Sequence, residues 1–319
     1  MVSLQDIRAA QSLLKAVATR TPLLEWTGVT ARRELFLKLE NLQPIGAFKL
    51  RGAYNKIASL SEEDRRRGVI SYSSGNHAQG VAYAARALGV RAVIVMPANA
   101  PKNKLEATAA LGAEIVTVGP SSEERRLRAE QLAAERGYVM VPPYSDEKII
   151  AGQGTVGLEI LEDLPEVETV LVPVGGGGLI GGISAAVKLT KPDVLVIGVE
   201  PELAGDARAS LQAGRIVSFP ADLVARTIAD GLRTQSVGEI NFDHIRAYVN
   251  DIVSVKEDEI REATRALSAD PKTVAEPSGA VSVAAFMFHS AELPETRNNV
   301  AVISGGNIDS QLLTDLRKA

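Results

Sequence analysis

The sequence predicts an α/β fold of two lobes, each built on a parallel sheet that is covered by helices. Apolar strand-like segments alternate with helical segments along most of the 319 residues, and this alternation is typical of parallel sheets. Two helical segments end in Leu-Gly, at 88–89 and 111–112, shortly before an apolar strand. A second alternating series begins near residue 169. The length suits two domains, or one large domain with an inserted lobe.

The first series starts with a helix and continues as alternating strands and helices. Residues 12–19 are predicted to be part of a leading helix, and Pro22 ends it. Gly89 and Gly112 mark two further helix ends, because glycine readily adopts the left-handed conformation that closes many helices. The predicted order is strand 35–40, helix 47–60, strand 69–72, a helix to 88, strand 92–96, a helix to 111 and strand 114–118.

The second series supplies most of a larger lobe. Its predicted elements are strand 169–174, a glycine loop at 175–178, helix 179–189, strand 194–200 and strand 300–303. Both ends of the chain are expected to join this lobe. We therefore expect a small domain at 61–145 and a large domain formed by 1–60 together with 146–319.

The composition excludes several classes of protein. Lys and Arg number 35 against 39 Asp and Glu, a net charge of −4, and the basic residues are too scattered for a nucleic-acid surface. The absence of cysteine excludes disulfides and a thiolate nucleophile. The uncharged stretch 170–187 holds six glycines and a proline, so it lacks the bulk of a membrane span. The first ten residues lack a signal-peptide pattern, and we expect a soluble cytoplasmic protein.

A run of four glycines, at 175–178, follows an apolar strand and precedes a helix. Consecutive glycines let the backbone approach a ligand closely, and their N–H groups join the helix N-terminus to form an anion site. A tight turn alone usually needs only one or two glycines. The segment therefore predicts a phosphate-binding loop.

The same segment supports a rival interpretation. Gly176, Gly178 and Gly181 satisfy G-x-G-x-x-G, and Glu200 ends the next predicted strand, where an acid that binds ribose would stand. Taken alone, this pattern would indicate a dinucleotide-binding dehydrogenase. It leaves the remaining polar segments of the chain unexplained.

Three further segments carry polar side chains at the ends of predicted elements. Lys49 lies beside apolar residues at a helix start, where a lysine can lose its proton and attack a carbonyl. Residues 73–77, Ser-Ser-Gly-Asn-His, follow a strand and offer hydroxyl, amide and backbone N–H groups. Ser304 follows the last strand and begins Ser-Gly-Gly-Asn. Each segment taken alone also fits a surface lysine, a helix cap or a turn.

Together these segments resemble the fold-type II (tryptophan synthase β-like) pyridoxal 5′-phosphate (PLP) enzymes, and within them the threonine/serine dehydratase and serine racemase group. Seven motifs follow the family's order between residues 38 and 307: KLENLQPIGAFKLRGA, SSGNHAQG, IAGQGT, VGGGGLIGG, TIADG, EPSG and SGGN. The resemblance implies a homodimer that acts on a small hydroxy amino acid. Its expected activity is that of an L-threonine/L-serine dehydratase, which releases a 2-oxo acid and ammonia.

The resemblance also implies roles for individual residues. Lys49 would be the Schiff-base lysine and would take the substrate Cα proton. Asn76 would hydrogen-bond the 3′-oxygen of the cofactor ring, and Ser304 would face the ring nitrogen. The residues expected to hold the substrate carboxylate are Ser73, Ser74, Asn76 and His77. The expected cofactor-binding residues are Phe48, Lys49, Asn76, Gly175, Gly176, Gly177, Gly178, Leu179, Gly231, Glu276 and Ser304.

Ser74 leaves a second reaction open. Racemisation needs an acid/base on the opposite face of Cα, and in serine racemases the second serine of SSGNH has that role. Ser74 matches it and is the second candidate catalytic residue beside Lys49. Dehydratases of threonine and of 3-hydroxyaspartate also carry SSGNH, so the motif permits racemisation without establishing it. A serine racemase with side elimination, a 3-hydroxyaspartate dehydratase and a PLP carrier without turnover therefore stay as alternatives.

A divalent-cation site is implied by the same resemblance. Glu200, the Ala204 carbonyl and Asp206 match the spacing of the family's metal ligands. Two carboxylates, a backbone oxygen and waters suit Mg²⁺ or Ca²⁺. The alternative is a solvated acidic loop after a strand.

Overall fold

Two sheets organise the computed structural model, which describes residues 1–26, 33–73, 75–100, 102–119 and 121–318. The strands of the described residues are β1 (Leu23–Glu25), β2 (Glu34–Leu39), β3 (Val69–Tyr72), β4 (Ala92–Pro97), β5 (Glu114–Val118), β6 (Val139–Met140), β7 (Thr169–Pro173), β8 (Leu195–Pro201), β9 (Asp251–Val255) and β10 (Asn298–Ile303).

Helices separate most of these strands along the chain. Those of the described residues are α1 (Leu4–Leu14), α2 (Lys49–Ala58), α3 (Glu62–Arg67), α4 (Asn76–Ala87), α5 (Lys102–Ala110), α6 (Ser122–Arg136), α7 (Glu147–Asp163), α8 (Gly178–Thr190), α9 (Asp206–Ala213), α10 (Ala221–Val224), α11 (Glu239–Tyr248), α12 (Glu257–Leu267), α13 (Pro277–Phe288) and α14 (Ser310–Lys318).

The larger sheet has the order β1-β2-β10-β7-β8-β9, and the smaller has the order β5-β4-β3-β6. All neighbouring strands are parallel except β1, which runs antiparallel to β2. Strand β10 lies between β2 and β7, with Val300 opposite Phe36 on one side and Val170 on the other. The predicted α/β class with parallel sheets is confirmed.

The core of the larger sheet is divided between its two faces. Leu35, Leu37 and Leu39 alternate along β2 toward one face, where α12 and α13 cover them. Val170 and Val172 of β7 point to the other face, which α8 and α11 cover. This period-two alternation follows from the strand geometry. It is how both faces of a parallel sheet become buried.

The smaller sheet is built entirely from residues between 69 and 140. Ile94 and Met96 pack on the face that carries α4, and Val93 and Val95 pack with Ile70 on the opposite face. The helix α2 packs against both α4 and α7, so it joins the surroundings of this sheet to those of the larger one. The expected domain bounds place the whole smaller sheet in the small domain, and they stay a prediction.

The first helix differs from its prediction. It spans Leu4–Leu14, so residues 15–19, which are predicted to belong to it, lie beyond its end, and the helix ends well before Pro22. Its start is capped, because the Ser3 hydroxyl accepts from the Asp6 N–H and the Asp6 carboxylate accepts from the Ser3 N–H. In the part of the chain that is described, no helix is both long and apolar enough to cross a membrane.

Candidate active site

Strands of both sheets end at one cavity of about 180 Å³. Ser73 follows β3 of the smaller sheet, while Gly175 and Ser304 follow β7 and β10 of the larger one, and all three line the cavity. The carboxyl ends of parallel strands are where such folds usually bind ligands. The cavity therefore lies at the expected edge of both sheets.

The start of α2 places Lys49 in this cavity. The Phe48 N–H donates to the Ser304 carbonyl with an N–O distance of 3.1 Å, and Ala47 forms a β-bridge with Gly305. Gly46 precedes them with φ +70°, a conformation that favours glycine. The first turn of α2 is thus tied to the end of β10, and Lys49 is the first residue of that helix.

The amine of Lys49 lies inside the protein without a charged partner. Its Nζ donates to the Pro143 carbonyl, 2.8 Å away, and no carboxylate of the described residues forms an ion pair with it. Burial lowers the pKa of Lys49 to about 8, because desolvation disfavours the charged form. The amine is therefore close to the neutral state in which it can attack a carbonyl or accept a proton.

The glycine loop forms the wall of the cavity at the start of α8. Gly177 has φ +90° and stands immediately before the helix. The N–H groups of the first helical turn, Gly178 to Ile180, have no acceptor within the helix and attract anions. A Cβ atom on Gly176 would lie 2.3 Å from the ring of Tyr144, so only glycine fits beneath that ring. These features fit a phosphate group.

The opposite wall comes from the start of α4. The Ser73 hydroxyl accepts from the Gly75 N–H at 3.2 Å. His77 is buried, and its Nε2 lies 3.0 Å from the Val141 carbonyl, to which it can only donate. Burial and the charge of Lys49 lower the pKa of His77 to about 3, so the ring is neutral. Ser74 lies outside the described residues.

An acid and two amides meet beside this wall. Asn76 Nδ2 donates to Glu276 Oε1 at 2.6 Å, and the Asn76 oxygen accepts from Asn307 Nδ2 at 2.8 Å. Burial and the nearby charge of Asp230 raise the pKa of Glu276 to about 7. The buried Ser304 lies alongside, and its carbonyl is the one that holds Phe48.

The structure brings every predicted cofactor-binding residue to the cavity, together with all predicted carboxylate-binding residues among those described. Sequence reasoning missed part of the lining: Lys104, Pro143, Tyr144, Asp230, Leu232, Thr234 and Ser278. Asp230 and Ser278 belong to the TIADG and EPSG motifs, which were recognised without assigning these two positions. Lys104 and Asp230 form an ion pair at 2.6 Å between the two lobes, a contact that only the tertiary fold creates.

The predicted metal ligands lie away from the cavity lining, between β8 and α9. Glu200 accepts from the N–H groups of Ala207 and Arg208 at 3.0 and 2.9 Å, and the Oδ2 atom of Asp206 is buried without a hydrogen-bond partner. Burial raises the pKa of Glu200 to about 8 and that of Asp206 to about 7. Within the described ranges no group of three or more His, Cys, Asp or Glu could hold a metal. The predicted set contains only two such side chains, with Ala204 contributing a carbonyl.

Comparisons with known proteins agree with this geometry. A family model described as pyridoxal-phosphate dependent enzyme matches residues 14–305. An L-threonine ammonia-lyase of Thermotoga maritima is 47% identical over 320 residues, covering 98% of this chain and 77% of that protein. A threonine deaminase structure from T.th. is 45% identical, with a TM-score of 0.90, and covers 97% of this chain and 99% of that one. Maize serine racemase superposes with a TM-score of 0.94 at 37% identity, covering 98% and 96%.

Proposed function

Because this chain belongs to the family of pyridoxal-phosphate-dependent enzymes, we propose that it is a dehydratase of L-threonine and L-serine. The reaction is a β-elimination of the substrate hydroxyl, and its final products are a 2-oxo acid and ammonia. Relatives whose names state this activity on threonine cover almost the whole chain. The family expected from the seven motifs is confirmed, and the match lends no support to a dinucleotide interpretation of Gly176, Gly178 and Gly181.

One observation carries the proposal: the uncharged surroundings of the Lys49 amine, opposite a glycine loop that suits phosphate. The loop and the start of α8 would hold the phosphate of PLP, and Phe48 would pack near its ring. When bound, PLP supplies an aldehyde that reacts with the Lys49 amine and a ring that stabilises negative charge at the substrate Cα.

The remaining chemistry falls to side chains of the cavity. The backbone N–H groups at the start of α4, with Ser73, Asn76 and His77, would bind the substrate carboxylate. The Lys49 amine would take the proton from the substrate Cα, and its lowered pKa suits a base that works near neutral pH. His77 is neutral and donates to Val141, so it contributes position rather than charge.

The test is turnover of L-threonine and L-serine by the purified protein supplied with PLP. We expect 2-oxo acid and ammonia in equal amounts, and we expect Lys49→Ala to lose both turnover and the covalent attachment of PLP that borohydride makes permanent. Lys56→Ala is the matched control, because Lys56 lies on the same helix but pairs with Asp146. Turnover by Lys49→Ala at the wild-type rate would contradict the proposal.

Serine racemisation is the second candidate, favoured by Ser74 and by the likeness to maize serine racemase. Pyruvate and D-serine measured in one sample of L-serine separate the two reactions. D-serine formed as fast as pyruvate, and lost in Ser74→Ala while pyruvate persists, would make racemisation the main activity. Pyruvate without D-serine would leave the dehydratase assignment and show that Ser74 delivers no proton to the second face.

We also propose a Mg²⁺ or Ca²⁺ site at Glu200, Asp206 and the Ala204 carbonyl. The unpartnered Asp206 oxygen and the raised pKa values of both acids support it, because a nearby cation would compensate their burial. Removal of divalent cations with EDTA should lower the melting temperature of the wild type, and Asp206→Asn should abolish that response. An unchanged melting temperature and an unchanged activity in EDTA would exclude the site.

The assembly and location complete the proposal. We propose a cytoplasmic homodimer in which the small domain, residues 61–145, closes over a substrate held on the large domain, residues 1–60 and 146–319. The cysteine-free composition supports the location. The Lys104–Asp230 ion pair, which joins the two lobes beside the cavity, supports the closing movement.

A further inference from the structure

A chain of side-chain hydrogen bonds runs from the end of β10 to the cavity. Asn307 Nδ2 donates to the Ile45 carbonyl and to Asn76 Oδ1, both at 2.8 Å. Asn76 Nδ2 then donates to Glu276 Oε1 at 2.6 Å. The chain joins the SGGN segment to the start of α4, two parts of the protein that are 231 residues apart in sequence.

The direction of these bonds is determined at the Ile45 end. A backbone carbonyl can only accept, so the side-chain amide of Asn307 must turn its nitrogen toward Ile45. Because the same nitrogen contacts Asn76, the Asn76 amide must turn its oxygen toward Asn307 and its nitrogen toward Glu276. An amide orientation of this kind is fixed by the surrounding network. Only one hydrogen of Asn76 Nδ2 is used by Glu276, and Asn76 lines the cavity.

Two glycines leave the space that this chain needs. Gly46 has φ +70°, and a Cβ atom there would lie 2.4 Å from Asn307 Oδ1. A Cβ atom on Gly305 would lie 2.5 Å from Glu276 Oε1 and 3.1 Å from Asn76 Nδ2. The backbone at Gly46 and at Gly305 therefore lies close to the two ends of this hydrogen-bond chain, Asn307 and Glu276.

We propose that Asn307 is a positioning residue that holds Asn76 with its amide nitrogen toward the cavity, ready to donate to the 3′-oxygen of the PLP ring. The inference rests on the proposed function, since it requires that Asn76 faces that oxygen. Asn307 donates to Asn76 and to the Ile45 carbonyl but does not line the cavity, so it acts only through Asn76. Without Asn307, only the bond to Glu276 would orient the Asn76 amide, and the amide could more readily turn its oxygen toward the ring oxygen and repel it.

The first test replaces the hydrogen-bond donor of Asn307, which faces Asn76, by an acceptor. In Asn307→Asp a carboxylate faces Asn76 and cannot donate to it, so Asn76 must turn its nitrogen away from Glu276. We expect the dissociation constant of PLP to rise by roughly 10-fold or more, the cost of one hydrogen bond to a charged oxygen. We also expect the visible absorption band of bound PLP to shift, because the charge on the ring oxygen loses its donor.

Asn41 offers a matched control. Its Nδ2 also donates two hydrogen bonds, in this case both to backbone carbonyls, those of Lys272 and Val274 at 2.8 and 3.1 Å, and it packs beside Gly306. Asn41→Asp should lower the melting temperature to a similar extent as Asn307→Asp. Its affinity for PLP and its absorption band should match those of the wild type. Equal losses of PLP affinity in both variants would reduce Asn307 to a structural role.

A double-mutant cycle tests whether Asn307 acts through Asn76. Asn307→Ala removes the donor without adding charge, and it also serves if the aspartate variant does not fold. We expect Asn76→Ala and the Asn76→Ala/Asn307→Ala double variant to bind PLP equally weakly, because the second substitution has nothing left to position. Additive losses, or wild-type affinity and absorption in Asn307→Ala, would overturn the inference.

The outcomes separate this inference from the proposed function. Wild-type protein that binds PLP and deaminates threonine, combined with an Asn307 variant that keeps normal affinity and absorption, would remove the inference alone. Wild-type protein that fails to bind PLP would remove both together.

Discussion

Lys49 and Arg51 lie two residues apart on α2, yet the protein treats their charges in opposite ways. Arg51 is 1% exposed and donates to both oxygens of Glu40 and of Glu159 at 2.7–2.8 Å. Those carboxylates raise the pKa of Arg51 above its usual value despite its burial. Lys49 Nζ donates to the Pro143 carbonyl, lies 5.2 Å from the centre of the Phe48 ring and has no carboxylate partner among the described residues, and burial lowers its pKa to about 8.

The difference distinguishes a structural charge from a reactive one. A second cation, Lys38, also pairs with Glu159 at 2.6 Å, so the Arg51 side of α2 is a compensated ionic cluster. On the same turn of α2, Lys49 faces the cavity, and no carboxylate of the described residues compensates its charge. A buried charge without a partner is costly, and here it is retained where an amine near neutrality is useful. The paired cluster fixes the helix that presents this amine.

The largest expected effect comes from removing the compensated charge. Among the described residues, Arg51→Met leaves Glu40 buried without an ion-pair partner and Glu159 with Lys38 alone. The free energy of unfolding of the apoprotein should fall by about 3–5 kcal/mol, the usual cost of breaking a buried ion pair from one side. Urea unfolding followed by circular dichroism measures it. A loss below about 1 kcal/mol would mean that the cluster contributes little to stability.

The next effect concerns the reactivity of the uncompensated amine. If Lys49 holds PLP as proposed, only its neutral amine attacks the aldehyde, and burial lowers its pKa to about 8. The rate of PLP capture should therefore fall about tenfold for each pH unit below 8 and level off above it. Stopped-flow absorbance between pH 6 and 9 measures how the rate of PLP capture depends on pH. Nα-acetyl-lysine, whose side-chain amine is free, is the reference for the titration of PLP itself. A rate that keeps rising as steeply as that of the free amine would show an unperturbed lysine.

Removing the uncompensated charge should have the opposite sign from removing Arg51. Lys49→Met keeps the length of the side chain, and we expect it to abolish activity. It should also stabilise the apoprotein at pH 7 by about 3 kcal/mol, because folding lowers the pKa of Lys49 from 10.5 to about 8 and each pKa unit corresponds to about 1.4 kcal/mol. A lysine whose pKa is lowered by folding destabilises below its folded pKa, and this cost disappears as the pH rises from about 8 toward 10.5. The difference in the free energy of unfolding between the Lys49→Met and wild-type apoproteins should therefore narrow over that pH range. A Lys49→Met apoprotein as unstable as Arg51→Met would erase the contrast.

The smallest effect is expected for a charge that water already compensates. Arg297 pairs with Glu34 at 2.8 Å, but its side chain is 74% exposed. Arg297→Met should leave the melting temperature unchanged within error, because exposed ion pairs contribute little. Differential scanning fluorimetry alongside Arg51→Met gives the comparison directly. A large fall in the melting temperature of Arg297→Met would mean that burial does not explain why Arg51 and Arg297 contribute differently to stability.

Local sequence patterns predicted the first and last residues of some strands correctly and misplaced the ends of other elements. The strands β3 and β5 begin and end at the predicted residues, because each is a short run rich in β-branched residues between turns. The first helix ends at Leu14, although residues 12–19 are all predicted to belong to it, because no glycine or proline between 15 and 19 marks its end. The strand β10 begins two residues before its prediction at 300, with Asn298. Polar residues at a strand start give no apolar signal.

The candidate site also has parts that local sequence patterns predict and parts that they do not. The glycine loop and the start of α4 stand directly after strands, so strand ends and motifs located them. Tyr144 and Lys104 reach the cavity from segments that are distant in sequence, and no local pattern carries that information. Asn307 was recognised only as the last letter of SGGN. Its hydrogen bond to Asn76 depends on how two lobes meet, which spacing along one chain does not encode.

The position of β10 has a consequence for how the protein is made. This strand lies between β2 and β7, yet it is synthesised after every other strand of the described sheets. A nascent chain can pair β7 with β8 and can complete the smaller sheet, but β2 has no neighbour on its β10 side until residue 303 has left the ribosome. The carbonyl that holds Phe48 arrives with the next residue, Ser304. Lys49, the proposed Schiff-base lysine, is thus placed last, and a ribosome-bound fragment has no finished site in which to capture the cofactor.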